Sequence, residues 1–179
     1  MSPGDGARAE EGPRVRPAAF IDRDGVLNVD RGYVYRAEDF VWVKGAKRAV
    51  KVLNDLGYFV FIVTNQAGIA RGYYGPNDVE RLHDWINAEL GKVGAHVDGF
   101  YYCPHHPDAG AGPYTRACDC RKPAPGMLLQ AIAEWPVDRA RSFMVGNHDI
   151  DMEAARRAGL RGVMFQGGSL LEVVENIVG

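Results

Sequence analysis

The sequence predicts one α/β domain in which a parallel sheet is covered by helices on both faces. Three observations carry that expectation. Short apolar runs alternate along the chain with segments whose apolar residues recur at helical spacing. Five such runs can be found, and strands that alternate with helices pair in parallel. No linker or internal repeat divides the 179 residues, a length suited to one domain with a real core.

The first strand is the run AAFID at 18–22, apolar and ending in an acid. A helix follows, with apolar residues at Ala46, Ala49, Val50, Leu53 and Leu56, and Gly57 as its stop. The aromatic and β-branched run 58–63 reads as a buried strand leading into a polar turn, Thr64-Asn65-Gln66. Asn77 is placed to cap a helix reaching about Leu90, with Val79, Leu82 and Ile86 on its apolar face. Residues 99–102 form a third strand. Pro125 suits the first turn of a helix running to about Glu134. Strands at 142–145 and 162–165 flank a helix at 149–158 that Gly159 terminates. Ser169 with Glu172 three residues later is a capping box for the last helix. In such a sheet, ligands bind at the carboxyl ends of the strands.

Composition excludes several classes of function. Hydrophobic residues make up 46% and charged residues 25%, with a net charge of −2, so no bulk charge favours nucleic acid or anionic lipid. No apolar run approaches the ~20 residues of a membrane-spanning helix. Residues 1–16, rich in Gly, Pro, Arg and Glu, predict a disordered tail ahead of a folded region at 17–179. That tail lacks the apolar stretch of a secretory signal, so the chain is expected in the cytoplasm, as a monomer.

Four groups of residues carry chemistry. Asp22 and Asp24 leave the first strand two residues apart, and Gly25 lets the chain turn there. Like charges so close call for a divalent cation; one carboxylate can then attack phosphorus while the other handles a leaving-group proton. Taken alone, such a pair is more often a turn in a loop. Thr64 and the backbone N–H groups of its turn can cradle phosphoryl oxygens, although a structural turn is the ordinary reading. Arg121-Lys122 precedes a helix, a place where a basic pair is often only solvated surface. Cys103, His105, Cys118 and Cys120 offer three thiols and an imidazole, a donor set suited to Zn²⁺, with His106 competing for the imidazole position.

In that order these groups resemble the four signatures of the haloacid dehalogenase-like phosphatases. The run F-I-D-R-D-G-V-L-N resembles the first signature, which implies Asp22 as nucleophile and Asp24 as general acid and then base. Thr64 matches the second and would hold the phosphoryl group, with Asn65, Gln66 and Ala67 on the substrate side. Lys122 matches the third, screening charge, with Arg121 on the substrate. The stretch C-P-H-H-P to C-D-C-R-K-P-A-P-G-M resembles the zinc-containing branch that acts on heptose bisphosphate or histidinol phosphate. That likeness selects His105 and implies a zinc that orders a substrate-facing loop, 103–120, without doing chemistry.

The fourth signature departs from the family. Asp151 matches its second acid, but the first is Asn147. The implied magnesium set is therefore Asp22, Asp24, Asn147 and Asp151, with lowered affinity because asparagine brings no charge. Asp149 or Asp151 is placed to compensate. His148 either reaches substrate or is an exposed loop residue, and Asp30, Arg31, Gly32 and Tyr33 match a segment contributing to substrate binding. No insertion is long enough for a cap domain, so the implied fold is a single Rossmann-like domain with an open site. The resemblance, covering about residues 18–168, implies removal of the C7 phosphate from D-glycero-D-manno-heptose 1,7-bisphosphate. Histidinol-phosphate hydrolysis is the alternative, and a catalytically impaired sugar-phosphate-binding protein is the alternative of another class.

Overall fold

Alternation along one short strand explains most of the architecture. In Ala18–Ile21 (β1), Ala18 and Phe20 face one core and Ala19 and Ile21 face another, and all four are inaccessible to solvent. A strand apolar on both faces belongs in the middle of a covered parallel sheet. The computed structural model, which describes residues 12–179, places it there. Phe59–Asn65 (β2), Gly99–Cys103 (β3), Phe143–Gly146 (β4) and Arg161–Met164 (β5) complete a five-stranded sheet in the order β3-β2-β1-β4-β5. Every pairing is parallel.

The helices divide between the faces. Ala46–Asp55 (α1), Pro76–Gly91 (α2) and Leu170–Val178 (α5) pack on the face of Ile21 through Leu53, Ile86 and Val174. Gly126–Glu134 (α3) and Asp149–Arg157 (α4) cover the face of Phe20 through Met127, Leu128 and Ala155. The chain runs outward from β1 to β3, then crosses back to lay β4 against the free side of β1. That reversal opens a crevice above the carboxyl ends of β1 and β4, the usual ligand position in open α/β sheets.

The predicted elements appear, with shifted boundaries. β2 continues through Thr64 and Asn65, which were expected in a turn, because β3 runs alongside and pairs Thr64 with Tyr102 and Asn65 with Cys103. The cap of α2 is Gly75 rather than Asn77. Pro76 takes the first helical position, and the Asp78 carboxylate accepts the Gly75 N–H at 2.9 Å, leaving Asn77 inside the first turn. Of the tail expected at 1–16, residues 1–11 lie outside the described residues. Arg16 is anchored: its backbone bonds Pro136 and Asp138, and its guanidinium bonds Gly57 O at 2.7 Å and sits 4.0 Å over the Phe59 ring. Among the described residues, no helix is long and apolar enough to cross a membrane.

Candidate active site

Asp22 follows β1 at the reversal point, and its backbone N–H bonds Val145 O of β4 at 3.0 Å. The carboxylate is buried, with Oδ1 accepting from the Arg23 N–H at 2.8 Å and from Lys122 Nζ at 3.0 Å. Burial pushes its pKa up to about 6; the Lys122 cation works against that rise, and the charges of Asp151 and Asp24 add to it. Lys122 is only 3% exposed, and its Nζ also bonds Val63 O at 3.0 Å and lies 2.7 Å from Asp151 Oδ1. That last contact is Coulombic, since Asp151 Oδ1 has no aligned donor. Burial alone would lower the ammonium pKa, but the two aspartates outweigh it and raise it.

A cleft of about 400 Å³ opens over this ionic centre. Asp22, Asp24, Thr64 and Lys122 share its wall. Of the residues expected on the substrate side, Asp30, Gly32, Tyr33, Asn65, Gln66, Ala67, Arg121 and His148 also line it. Arg31 does not; it is exposed beside the cleft. The His148 ring, left open by the sequence, brings a nitrogen within 4.8 Å of the Asp22 and Asp151 carboxylates. Tyr74 and Ile150 line the cleft without having been anticipated, because neither a tyrosine in a loop nor an isoleucine on a helix carries a sequence signal of its own.

Asn65 and Gln66 have their side chains occupied within the protein. The Asn65 amide clamps the Lys122 backbone in both directions, accepting its N–H at 3.0 Å and donating to its carbonyl at 3.2 Å. Gln66 bonds Asp24, Thr64 and Tyr74. The side chain of Arg23 is completely buried and donates to both Asp24 oxygens at 3.1 and 3.2 Å and to Val34 O. It also faces His83 Nε2 at 3.3 Å, and burial together with this cation drives the His83 pKa down to about 3.

Behind Lys122 the four predicted soft donors converge. The Cys103, Cys118 and Cys120 sulfurs and His105 Nδ1 lie 2.9–3.7 Å from their neighbours in the cluster. His106 is turned away, its Nδ1 accepting from the N–H groups of Asp108 and Ala109. The hydrogen bond between Cys103 and Cys120, whose sulfurs lie 2.9 Å apart, holds the pKa of the Cys120 thiol down at about 5 and pushes that of Cys103 up. Arg121 donates to His105 O at 3.3 Å, and Cys103 O accepts the Gln66 N–H at 2.8 Å, tying the cluster to the cleft on two sides.

Comparison with known proteins places the chain in a family. A family model described as HAD-hydrolase-like matches residues 119–172. The D-glycero-beta-D-manno-heptose-1,7-bisphosphate 7-phosphatase of Rhodopseudomonas palustris is 45% identical over 163 residues, 91% of each chain. The chain belongs to the haloacid dehalogenase-like phosphatases. The Escherichia coli relative of the same name is 44% identical over 144 residues, covering 80% of this chain and 75% of its own. A crystal structure of D,D-heptose 1,7-bisphosphate phosphatase from B. bronchiseptica, complexed with magnesium and phosphate, superposes with a TM-score of 0.80 at 29% identity. It spans 90% of this chain and 98% of that one.

The donor groups of this haloacid dehalogenase-like phosphatase suit two different metals. At the cleft, the carboxylates of Asp22, Asp24 and Asp151 crowd together, and among the described residues their ion pairs are with Arg23 and Lys122. Asn147 Oδ1 is buried without a hydrogen-bond partner, and Asp151 Oδ1 meets the Lys122 ammonium alone. Clustered hard oxygen donors of this kind fit a hard divalent cation. Asn147 is held there by packing, since a Cβ on Gly25 would stand 2.1 Å from Asn147 Nδ2. Gly25 is thus needed twice, for its φ of +90° and for the close approach of the two turns. The sulfur and imidazole cluster has the four-donor set of a closed zinc site, its ligand atoms all within 4.8 Å of one another.

Proposed function

We propose that this phosphatase removes the C7 phosphate of D-glycero-D-manno-heptose 1,7-bisphosphate through an aspartyl-phosphate on Asp22. The observation that carries the reading is the meeting of Asp22, Thr64, Lys122 and Asp24 on one cleft wall. An Asp22 oxygen attacks phosphorus as the bond from phosphorus to the C7 oxygen breaks, and Asp24 gives that oxygen a proton. Asp24 then takes a proton from water as the water oxygen attacks the aspartyl-phosphate, freeing inorganic phosphate and Asp22. Lys122 and the Thr64 hydroxyl carry charge that develops on the phosphoryl oxygens.

Asp22, Asp24, Asn147 and Asp151 would hold Mg²⁺, which when bound offsets negative charge between nucleophile and phosphate. Cys103, His105, Cys118 and Cys120 would hold Zn²⁺ as a structural ion for the 103–120 loop. We place the reaction in a monomer in the cytoplasm. The heptose assignment rests on the relatives that carry that name.

A phosphate-release panel with magnesium titration tests the reading, using heptose bisphosphates, histidinol phosphate and an Asp22→Asn control. The expected result is fastest turnover on a heptose bisphosphate, dependent on magnesium and abolished by the substitution. Preference for histidinol phosphate would move the substrate assignment. Binding without release at any magnesium concentration, unrescued by Asn147→Asp, would reduce the protein to a sugar-phosphate binder.

A further inference from the structure

Gln66 is 2% exposed, and both polar atoms of its side chain are hydrogen-bonded inside the protein. Its Oε1 accepts from the Tyr74 hydroxyl at 2.6 Å. Its Nε2 donates to Asp24 Oδ2 at 2.9 Å and to Thr64 Oγ1 at 2.8 Å. A primary amide has two N–H donors, and these acceptors take both. The neighbours dictate which way the amide points. A carboxylate only accepts, and Tyr74 is kept a donor by burial, which pushes its pKa up to about 12 against the pull of Arg23. Reversing the amide would set its oxygen against the Asp24 carboxylate. Tyr74 itself is fixed by stacking on Tyr35, with ring centroids 4.8 Å apart and planes 19° from parallel.

We propose that Gln66 is a positioning residue for phosphoryl transfer, joining the leaving-group carboxylate of Asp24 to the phosphate-holding hydroxyl of Thr64, with Tyr74 setting the direction of its amide. The proposal rests on the aspartyl-phosphate reading above. Because Thr64 Oγ1 receives an N–H from Gln66, its own hydrogen points elsewhere. Among the described residues its only acceptor is Asn65 O at 3.5 Å, a long contact, so the hydroxyl is free to donate to a phosphoryl oxygen. Asp24 is meanwhile gripped from two sides, by Arg23 and Asn28 on Oδ1 and by Gln66 and Arg23 on Oδ2. The separation between proton donor and phosphate holder is therefore set by one planar group rather than by two independent rotamers.

Gln66→Met keeps the volume and removes the bonds; Tyr74→Phe keeps the stacked ring and removes only the hydroxyl. Both would be assayed on the alkyl phosphate turned over fastest in the panel above and on p-nitrophenyl phosphate, whose leaving phenolate needs no proton. Misplaced acid-base groups cost rate rather than binding, so Gln66→Met should lower kcat on the alkyl phosphate about 10- to 100-fold with KM nearly unchanged. On p-nitrophenyl phosphate the first turnover should survive and the later ones slow, giving a burst near one phenolate per enzyme. Tyr74→Phe should show the same pattern with a smaller loss, and should add nothing in the Gln66→Met background. Thermal melts establish that each variant folds; if Gln66→Met does not, Tyr74→Phe carries the test alone.

A raised KM with kcat retained would make Gln66 a substrate contact and overturn the proposal. Equal losses on both substrates without a burst, or additive effects of the two substitutions, would overturn it as well. Asp22→Asn separates the two claims. Turnover surviving that substitution sinks the aspartyl-phosphate reading whatever Gln66 does.

Discussion

Asp22 and His83 bend the stability of this protein with pH in opposite directions. His83, stacked on Phe100 and beside Arg23, is held neutral, its pKa down at about 3. A base with a depressed pKa contributes stability that is whole above its unfolded value near 6.5 and is lost as pH falls toward 3, by about 1.4 kcal/mol per pH unit. Asp22, raised to about 6, folds more easily protonated, so its penalty at neutral pH is relieved as pH falls from about 6 to 4. In metal-free protein the two slopes offset each other across that window. His83→Gln, which keeps an acceptor for Arg23, should expose the Asp22 slope: its urea midpoint should rise between pH 6 and 4 while the parent stays nearly level. A variant with the same pH slope as the parent would refute the assignment to His83. Metal binding and protonation also compete for Asp22, so apparent magnesium affinity, measured by calorimetry, should fall steeply below about pH 6.

The zinc-type cluster and the cleft are joined through short covalent and hydrogen-bonded links. Cys120 is two residues from Lys122, Cys103 ends β3, and Asn65 at the end of β2 grips the Lys122 backbone. Treating the protein with a zinc chelator should therefore lower kcat/KM at least about tenfold and speed amide exchange over 103–122, while β1 and β4 keep their protection. Loss of exchange protection across the whole sheet would show instead that the cluster supports the fold.

These elements were legible in the sequence to different degrees. The five strands, the acids after β1 and the Cys/His spacing could be read because local pattern and long-range packing agree. Other features depend on partners far along the chain. Asn65 holds Lys122 from 57 residues away, and Gln66 reaches back 42 residues to Asp24, so neither role has a local signal. The burial of Arg23 depends likewise on Val34 O and His83 meeting around it. The cap of α2 was misplaced because Asn77 has the right chemistry, but Pro76 before it had already begun the helix.

At the scale of the whole molecule, the two cores do different work from the cleft. Leu128 is fully buried on α3 in the layer around Phe20 and takes no part in the cleft wall. Leu128→Ala should cost about 2–5 kcal/mol of stability, read from a denaturant midpoint, while kcat/KM of the folded fraction stays at the parent value. A matching loss of activity in fully folded protein would mean that α3 packing reaches the active site.

The central strand has a further consequence while the protein is being made. β1 is translated first, yet one of its two pairing edges waits for Phe143–Gly146, and the Asp22 carboxylate waits for an ammonium 100 residues downstream. A ribosome-bound chain stopped before those segments therefore exposes a hydrophobic β-edge, with an acid at its tip that no cation yet covers. Release of the growing polypeptide before that point should yield an aggregation-prone fragment rather than a small working enzyme.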